Sequence, residues 1–214
     1  MKLQGIIFDM DGTLADTIPV CIAAFQQTFQ QCLGQAFTAP EIEAMFGPPE
    51  EGMLQRRLPD TWPQALDTFL AEYERAHVIC PAPFPGILPL LVTLRARGLR
   101  LGIATGKGPG SARISTRILG LEPYFDGIEV GSAEGAVKPA LIRAFLTRWA
   151  VDPQLVAYVG DAPADVDASL QVGVVAVAAA WASTADASAL AARQPDALFR
   201  RVVDFAAWAD QVSQ

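Results

Sequence analysis

The segment Gly5-Ile6-Ile7-Phe8-Asp9-Met10-Asp11-Gly12-Thr13-Leu14 runs three large apolar residues straight into two carboxylates one residue apart, followed by a glycine. A short, continuous apolar run suits a buried strand at the centre of a parallel sheet. In open α/β sheets ligands bind beyond the carboxyl ends of the strands, which is where Asp9 and Asp11 fall. Successive residues of an extended chain point to opposite sides, so the two carboxylates share a ligand only if the chain turns, and Gly12 permits that turn. Ionised carboxylates this close repel unless a cation lies between them or one keeps its proton. Alone, Asp-x-Asp-Gly also describes a polar turn whose aspartates bond their own backbone. A calcium loop is excluded, because the positions of its glycine and its final glutamate hold Leu14 and Val20.

Downstream, the periodicity changes twice. Ile18, Ile22, Phe25, Phe29 and Leu33 recur at helical steps, as do Leu66, Phe69, Leu70 and Tyr73, with His77 extending the second stripe as a core or hinge residue. Shorter helices are predicted around Ile42–Phe46 and Met53–Leu58, separated by Gly47-Pro48-Pro49. Residues 15–82 therefore read as a helical module, bounded by the proline-rich Pro81-Ala82-Pro83-Phe84-Pro85-Gly86. From there to the end, short apolar runs alternate with helical stripes, the pattern of parallel strands covered by helices. Strands are predicted at 99–105, 128–130, 156–159 and 174–177, and the tail is expected to be one or two helices. The fold class is thus α/β: a Rossmann-like parallel sheet built from residues 1–14 and 83–214, with 15–82 inserted.

Three more strand ends carry chemistry. Leu101-Gly102-Ile103-Ala104 leads into Thr105-Gly106-Lys107, a hydroxyl and approachable N–H groups suited to phosphate oxygens, or simply a glycine-rich turn. It is neither a dinucleotide fingerprint nor a P-loop, since Ser111 and Leu101 occupy required glycine positions and Gly108 follows the lysine. Lys138-Pro139 opens a helix, which projects Lys138 from a helix start, though lysine there is also compatible with plain solvation. Val159-Gly160 leads into Asp161 and Asp165, four apart at the start of a helix, where carboxylates also serve as caps. All of these fall on the same edge of the sheet as Asp9 and Asp11.

Charge and cysteine usage narrow the partners. The net charge is −7 and the only lysines are Lys2, Lys107 and Lys138, so there is no basic stripe for nucleic acid. No apolar run approaches the roughly 20 residues of a membrane span, and there is no signal-peptide core, so a cytoplasmic location with no membrane partner is expected. Cys21, Cys32 and Cys80 have no metal-type spacing and fit reduced thiols.

With these motifs in order, the chain resembles the haloacid dehalogenase superfamily, in particular its phosphoglycolate phosphatase-like and pyrophosphatase-like branch. The matching residues are Asp9-Met10-Asp11-Gly12-Thr13, the strand-end Thr105, Lys138, and Gly160-Asp161 through Asp165. The resemblance implies that Asp9 attacks phosphorus and that Asp11 protonates the leaving oxygen and then deprotonates water. It implies that Thr105, the Gly106 N–H and Lys138 hold the phosphoryl oxygens. Asp9, the Asp11 main-chain carbonyl and Asp161, with Asp165 close by, would form an oxygen-only site for Mg2+. Residues 15–82 would be the small cap that sets selectivity, with Gly47 in its substrate-facing loop and Arg56 as a contact for an anionic leaving group. The expected reaction is hydrolysis of a small phosphorylated metabolite by a monomer or homodimer. Gly106 stands where this branch often has asparagine, and Ala162-Pro163 stiffens the turn before Asp165. Pyrophosphate hydrolysis, sugar-phosphate mutation, and a non-catalytic metabolite- or partner-binding descendant are the alternatives. The last would be expected to have lost its nucleophile, acid or lysine, and none is missing.

Overall fold

The computed structural model describes residues 2–132 and 138–212. Its centre is a six-stranded, wholly parallel sheet in the order β3-β2-β1-β4-β5-β6. The strands are β1 (Gly5–Phe8), β2 (Arg100–Ala104), β3 (Gly127–Glu129), β4 (Val156–Gly160), β5 (Val175–Ala179) and β6 (Ala197–Phe199). β1 is buried along its whole length, as its unbroken apolar run requires. Its side chains alternate between two cores: Ile6 and Phe8 pack with Leu101, Ile103, Ala157 and Val159, whereas Ile7 packs with Phe145, Tyr158 and Trp149.

Helices cover both faces. They are α5 (Ile87–Ala96), α6 (Pro109–Ile118), α7 (Lys138–Trp149), α8 (Pro163–Val172), α9 (Ala187–Ala191) and α10 (Val202–Val212). The chain leaves β1 toward β2 and β3, then returns to lay β4 on the other side of β1. The order therefore reverses between β1 and β4, the place where doubly wound sheets open a crevice. Phe8 is level with Ile103 on one side and Val159 on the other, so the chain ends of these strands lie side by side.

Between β1 and α5 the chain forms α1 (Ile18–Leu33), α2 (Ala39–Glu43), α3 (Glu50–Arg57) and α4 (Trp62–Ala76), with no strand among the described residues there. α1 lies along α4, and their stripes meet through Phe25 and Phe69, whose ring centroids are 4.4 Å apart. The two passages between this helical insert and the sheet are tied together by the Phe84 N–H donating to the Leu14 carbonyl at 3.0 Å. One element departs from the expected all-helical tail: Ala197–Phe199 adds a sixth strand beside β5. This three-residue, half-buried edge strand has no alternation long enough to show in sequence. No described helix is long and apolar enough to cross a membrane.

Candidate active site

After β1 the chain turns back on itself, with the Gly12 N–H donating to the Ala15 carbonyl at 2.9 Å. Gly12 has φ +70°, and a Cβ there would stand 2.0 Å from a carboxylate oxygen of Asp161. The position thus requires glycine twice over: for its left-handed backbone and for the close approach of the β4 turn. Thr13 reinforces that approach by donating its hydroxyl to Asp161 Oδ1 at 3.3 Å. Trp181, just past β5, donates its indole N–H to the Thr13 carbonyl at 2.9 Å.

Asp9 is 8% exposed; its Oδ1 accepts from the Met10 N–H at 2.8 Å and its Oδ2 lies 2.6 Å from Lys138 Nζ. Lys138 reaches in from the start of α7 and also donates to Asp165 Oδ1 and to the Tyr158 hydroxyl, each at 2.8 Å. Asp165 spends its other oxygen on the Ala162 N–H at 3.0 Å, closing the first turn of α8. Asp9, Asp161 and Asp165 each offer an oxygen within 4.8 Å of the others.

The crowding of carboxylates shows in their acidity. Burial, with help from Asp165 and Asp11 and against the pull of Lys138, pushes Asp9 up to about 7. Burial and then Asp9, Asp165 and Asp11 push Asp161 up to about 8. Burial opposes the charge on Lys138, yet Asp165 and Asp9 hold its ammonium well above its ordinary value. A site whose carboxylates resist ionisation together, with oxygen donors only, fits a hard divalent cation that would neutralise them. Among the described residues no histidine or cysteine joins the cluster.

Thr105 ends β2 fully buried, its Oγ1 accepting from the Lys107 N–H at 3.3 Å. Asp11 Oδ1 accepts from the Thr17 hydroxyl and lies 3.0 Å from Lys107 Nζ. Beside Asp11 opens a pocket of about 180 Å³, where Gly106 and Lys107 face Ile18, Phe46, Gly47 and Met53 of the helical insert. Gly47 therefore borders the same pocket as Asp11. Arg56 lines a separate depression with Met45, Phe46 and Arg57. His77 is buried and bonded to the Cys80 carbonyl and to Ser115 Oγ.

Sequence reasoning did not single out Lys107, Glu50 or Tyr73. The Lys107 side chain is 3% exposed and its ammonium lies 4.8 Å from the Tyr73 ring centroid. Burial opposes the charge on its ammonium, but Asp11 above all holds its pKa well above the ordinary lysine range. Glu50, from the first turn of α3, accepts from the Gly108 N–H and from the Ser111 hydroxyl at 2.6 Å, at the start of α6. The scarcity of lysine in the chain was the one available signal for Lys107; Glu50 and Tyr73 gave none before packing was known.

Residues 6–179 match the family of haloacid dehalogenase-like hydrolases. The phosphoglycolate phosphatase of Cereibacter sphaeroides is 31% identical over 180 residues, which cover 80% of this chain and 83% of that protein. Pyrophosphatase PpaX of Bacillus pumilus is 26% identical over 209 residues, 96% of this chain and 95% of that one. Among solved structures, the haloacid dehalogenase-like family hydrolase SP0104 of Streptococcus pneumoniae matches with a TM-score of 0.76 at 27% identity, covering 96% of this chain and 98% of the other. A family match running from β1 through β5, over strand ends that carry Asp9, Thr105 and Asp161, makes this chain a member of the haloacid dehalogenase-like hydrolases.

Proposed function

We propose that the protein is a Mg2+-dependent phosphatase that hydrolyses a small phosphorylated metabolite through a phosphoryl group carried on Asp9. The observation that carries this reading is the contact of Lys138 with Asp9 at 2.6 Å inside the Asp9–Asp161–Asp165 cluster. A lysine in that position favours the ionised nucleophile and neutralises phosphoryl oxygens as charge shifts during transfer. An Asp9 oxygen forms a bond to phosphorus as the ester oxygen departs with a proton from Asp11. A water then attacks the phosphorus, giving its proton to Asp11, and the bond to Asp9 breaks to release phosphate. Thr105 and the Gly106 N–H serve as donors to the phosphoryl oxygens. Asp9, Asp161 and the Asp11 main-chain carbonyl would hold the metal, which supplies charge neutralisation between the nucleophile and the phosphoryl group. Asp165 anchors Lys138 and the turn before α8, and stands beside Asp9 and Asp161 in the same cluster.

The helical insert acts as a cap over the pocket beside Asp11, with Gly47 at its rim. That pocket carries the ammonium of Lys107 against the carboxylates of Asp11 and Glu50. Its small volume and charge balance favour a compact leaving group over a second phosphate, and so a monoester over pyrophosphate or a sugar bisphosphate. The kinship with phosphoglycolate phosphatase makes 2-phosphoglycolate the first ester to try. The test is phosphate release from a panel of phosphorylated metabolites by protein stripped of metal and resupplied with Mg2+. The expected result is Mg2+-dependent release that the Asp9→Asn variant lacks. Release by Asp9→Asn equal to that of the wild type would exclude the nucleophilic role, and no release by either protein would favour a binding protein.

A further inference from the structure

Lys107 is a buried ion-pairing group to which the reaction outlined above gives no task. Its ammonium bridges two parts of the molecule. On one side is Asp11 Oδ1 at 3.0 Å, in the turn after β1; on the other is the ring of Tyr73, from α4 of the insert, with its centroid 4.8 Å away.

Tyr73 is itself fixed. Its hydroxyl lies 2.8 Å from Ser115 Oγ on α6, Ser115 Oγ lies 3.0 Å from His77 Nε2, and His77 Nδ1 lies 3.0 Å from the Cys80 carbonyl. A carbonyl only accepts, so Nδ1 carries the proton and, in the neutral ring, Nε2 accepts from Ser115. The Ser115 hydroxyl then accepts from Tyr73, and the direction of the whole chain follows from the Cys80 carbonyl at its end. Buried polar contacts thus run from Asp11 through Lys107 and Tyr73 to the hinge where the insert rejoins the sheet.

Both partners of Asp11, the Lys107 ammonium and the Thr17 hydroxyl, take the same oxygen, Oδ1. Among the described residues Oδ2 has no protein partner, and Asp11 borders the leaving-group pocket. Two contacts on one carboxylate oxygen fix the plane of the group and reserve the other oxygen for substrate.

We infer that Lys107 is a positioning residue for Asp11, and that Tyr73 makes this hold depend on the insert being docked. The inference rests on the reading of Asp11 as the acid and base of phosphate ester hydrolysis. A lysine that instead bound an anionic leaving group would act on affinity, whereas a lysine that orients the acid acts on turnover.

The experiment compares wild type, Lys107→Met, Lys107→Arg and Tyr73→Phe on 2-phosphoglycolate and p-nitrophenyl phosphate, by steady-state and rapid-quench kinetics with saturating Mg2+. In Lys107→Met, kcat on 2-phosphoglycolate is expected to fall about 100-fold or more, the scale of a lost general acid, with KM within about threefold of wild type. p-Nitrophenolate leaves without needing a proton, while hydrolysis of the phosphoenzyme still needs Asp11 as base. That variant should therefore show a burst of about one p-nitrophenol per enzyme, followed by slow turnover. Lys107→Arg restores part of kcat, and Tyr73→Phe lowers kcat about two- to tenfold without moving KM. If Lys107→Met does not fold, Lys107→Arg and Tyr73→Phe carry the test, and wild-type kcat in both overturns the inference. A loss confined to KM, or an unchanged kcat in Lys107→Met, also overturns it while leaving the phosphatase reading intact. No phosphate release by the wild type overturns both.

Discussion

Asp165 holds the Lys138 ammonium at 2.8 Å with one carboxylate oxygen and the Ala162 N–H at 3.0 Å with the other. The residue that orients the site's lysine is thus the same one that starts α8. Its side chain is 3% exposed and that of Lys138 17%, so water does little to screen the pair. Without Asp165, Lys138 keeps Asp9 and the Tyr158 hydroxyl but loses a second carboxylate, and the Ala162 N–H loses its acceptor. Asp165→Ala is therefore expected to lower unfolding free energy by about 1–3 kcal/mol, and to lower kcat because Lys138 loses one of the contacts that fix it beside Asp9. Denaturant unfolding and phosphate release measure the two effects; wild-type stability in this variant would remove Asp165 from the anchoring role.

Metal and pH should act on stability in opposite directions. Asp9 is raised from 3.8 to about 7 and Asp161 from 3.8 to about 8. Between those limits the folded protein keeps protons that the unfolded chain has released, so the stability of the metal-free protein falls as pH rises through this window. A divalent cation stabilises the ionised carboxylates and offsets the loss. The Tm of EDTA-treated protein should decline from pH 5 to pH 8, while the increment gained on adding Mg2+ grows over the same range. An increment independent of pH would separate the cation from this cluster.

Gly12→Ala tests the geometry of the turn. Its φ of +70° is strained for alanine, and the new methyl would meet the Asp161 carboxylate at 2.0 Å. The backbone term alone costs about 1–2 kcal/mol, and the steric conflict falls on the residue expected to hold the metal. Activity and Mg2+ affinity should both drop by a factor of about 100 or more, well beyond what the lost stability explains. Calorimetric titration of Mg2+ into the variant checks this, and an unchanged affinity would show that Asp161 does not need its present position.

Much of this arrangement is legible in the chain itself. Asp9, Asp11, Thr105 and Asp161 could be placed because each follows a short apolar run, and the ends of parallel strands share one edge. The α1 and α4 stripes were equally plain, since apolar steps of three and four sustained over 15 or 16 residues fall on one face only when the chain is helical. β6 was not legible, because three half-buried residues carry no period. Nor was Lys107: the turn Thr105-Gly106-Lys107 pointed to backbone N–H groups. The direction of the side chain follows from Tyr73 and Asp11 closing around it, contacts between residues far apart in sequence. Arg56 and Arg57 illustrate the converse. They are cations in the insert, yet they line a depression of their own, with Arg57 over the Phe37 ring.

Glu50 shows how the insert is held against the sheet. It is 4% exposed and comes from the N-terminal turn of α3, and its two oxygens take the Gly108 N–H and the Ser111 hydroxyl. These are groups at the start of α6, where a helix favours negative charge. The carboxylate thus supplies to α6 the N-terminal acceptor that Gly108, lacking a side chain, does not. Glu50→Ala leaves the Gly108 N–H without a protein partner and the Ser111 hydroxyl with only the Gly108 carbonyl at 3.3 Å, at a junction that also borders the pocket beside Asp11, at a cost of about 1–3 kcal/mol for the N–H if it stays buried. Two passages of chain join the insert to the sheet, tied by the Phe84 N–H to the Leu14 carbonyl, so local opening at this junction is the expected route by which the cost is met. The variant is accordingly expected to show faster proteolytic cleavage within 81–86 and faster amide exchange at the start of α6. Its KM should rise, because the pocket beside Asp11 closes less often. Exchange and cleavage at wild-type rates, with KM unchanged, would mean that the apolar contacts of α1, α3 and α4 hold the insert in place without Glu50.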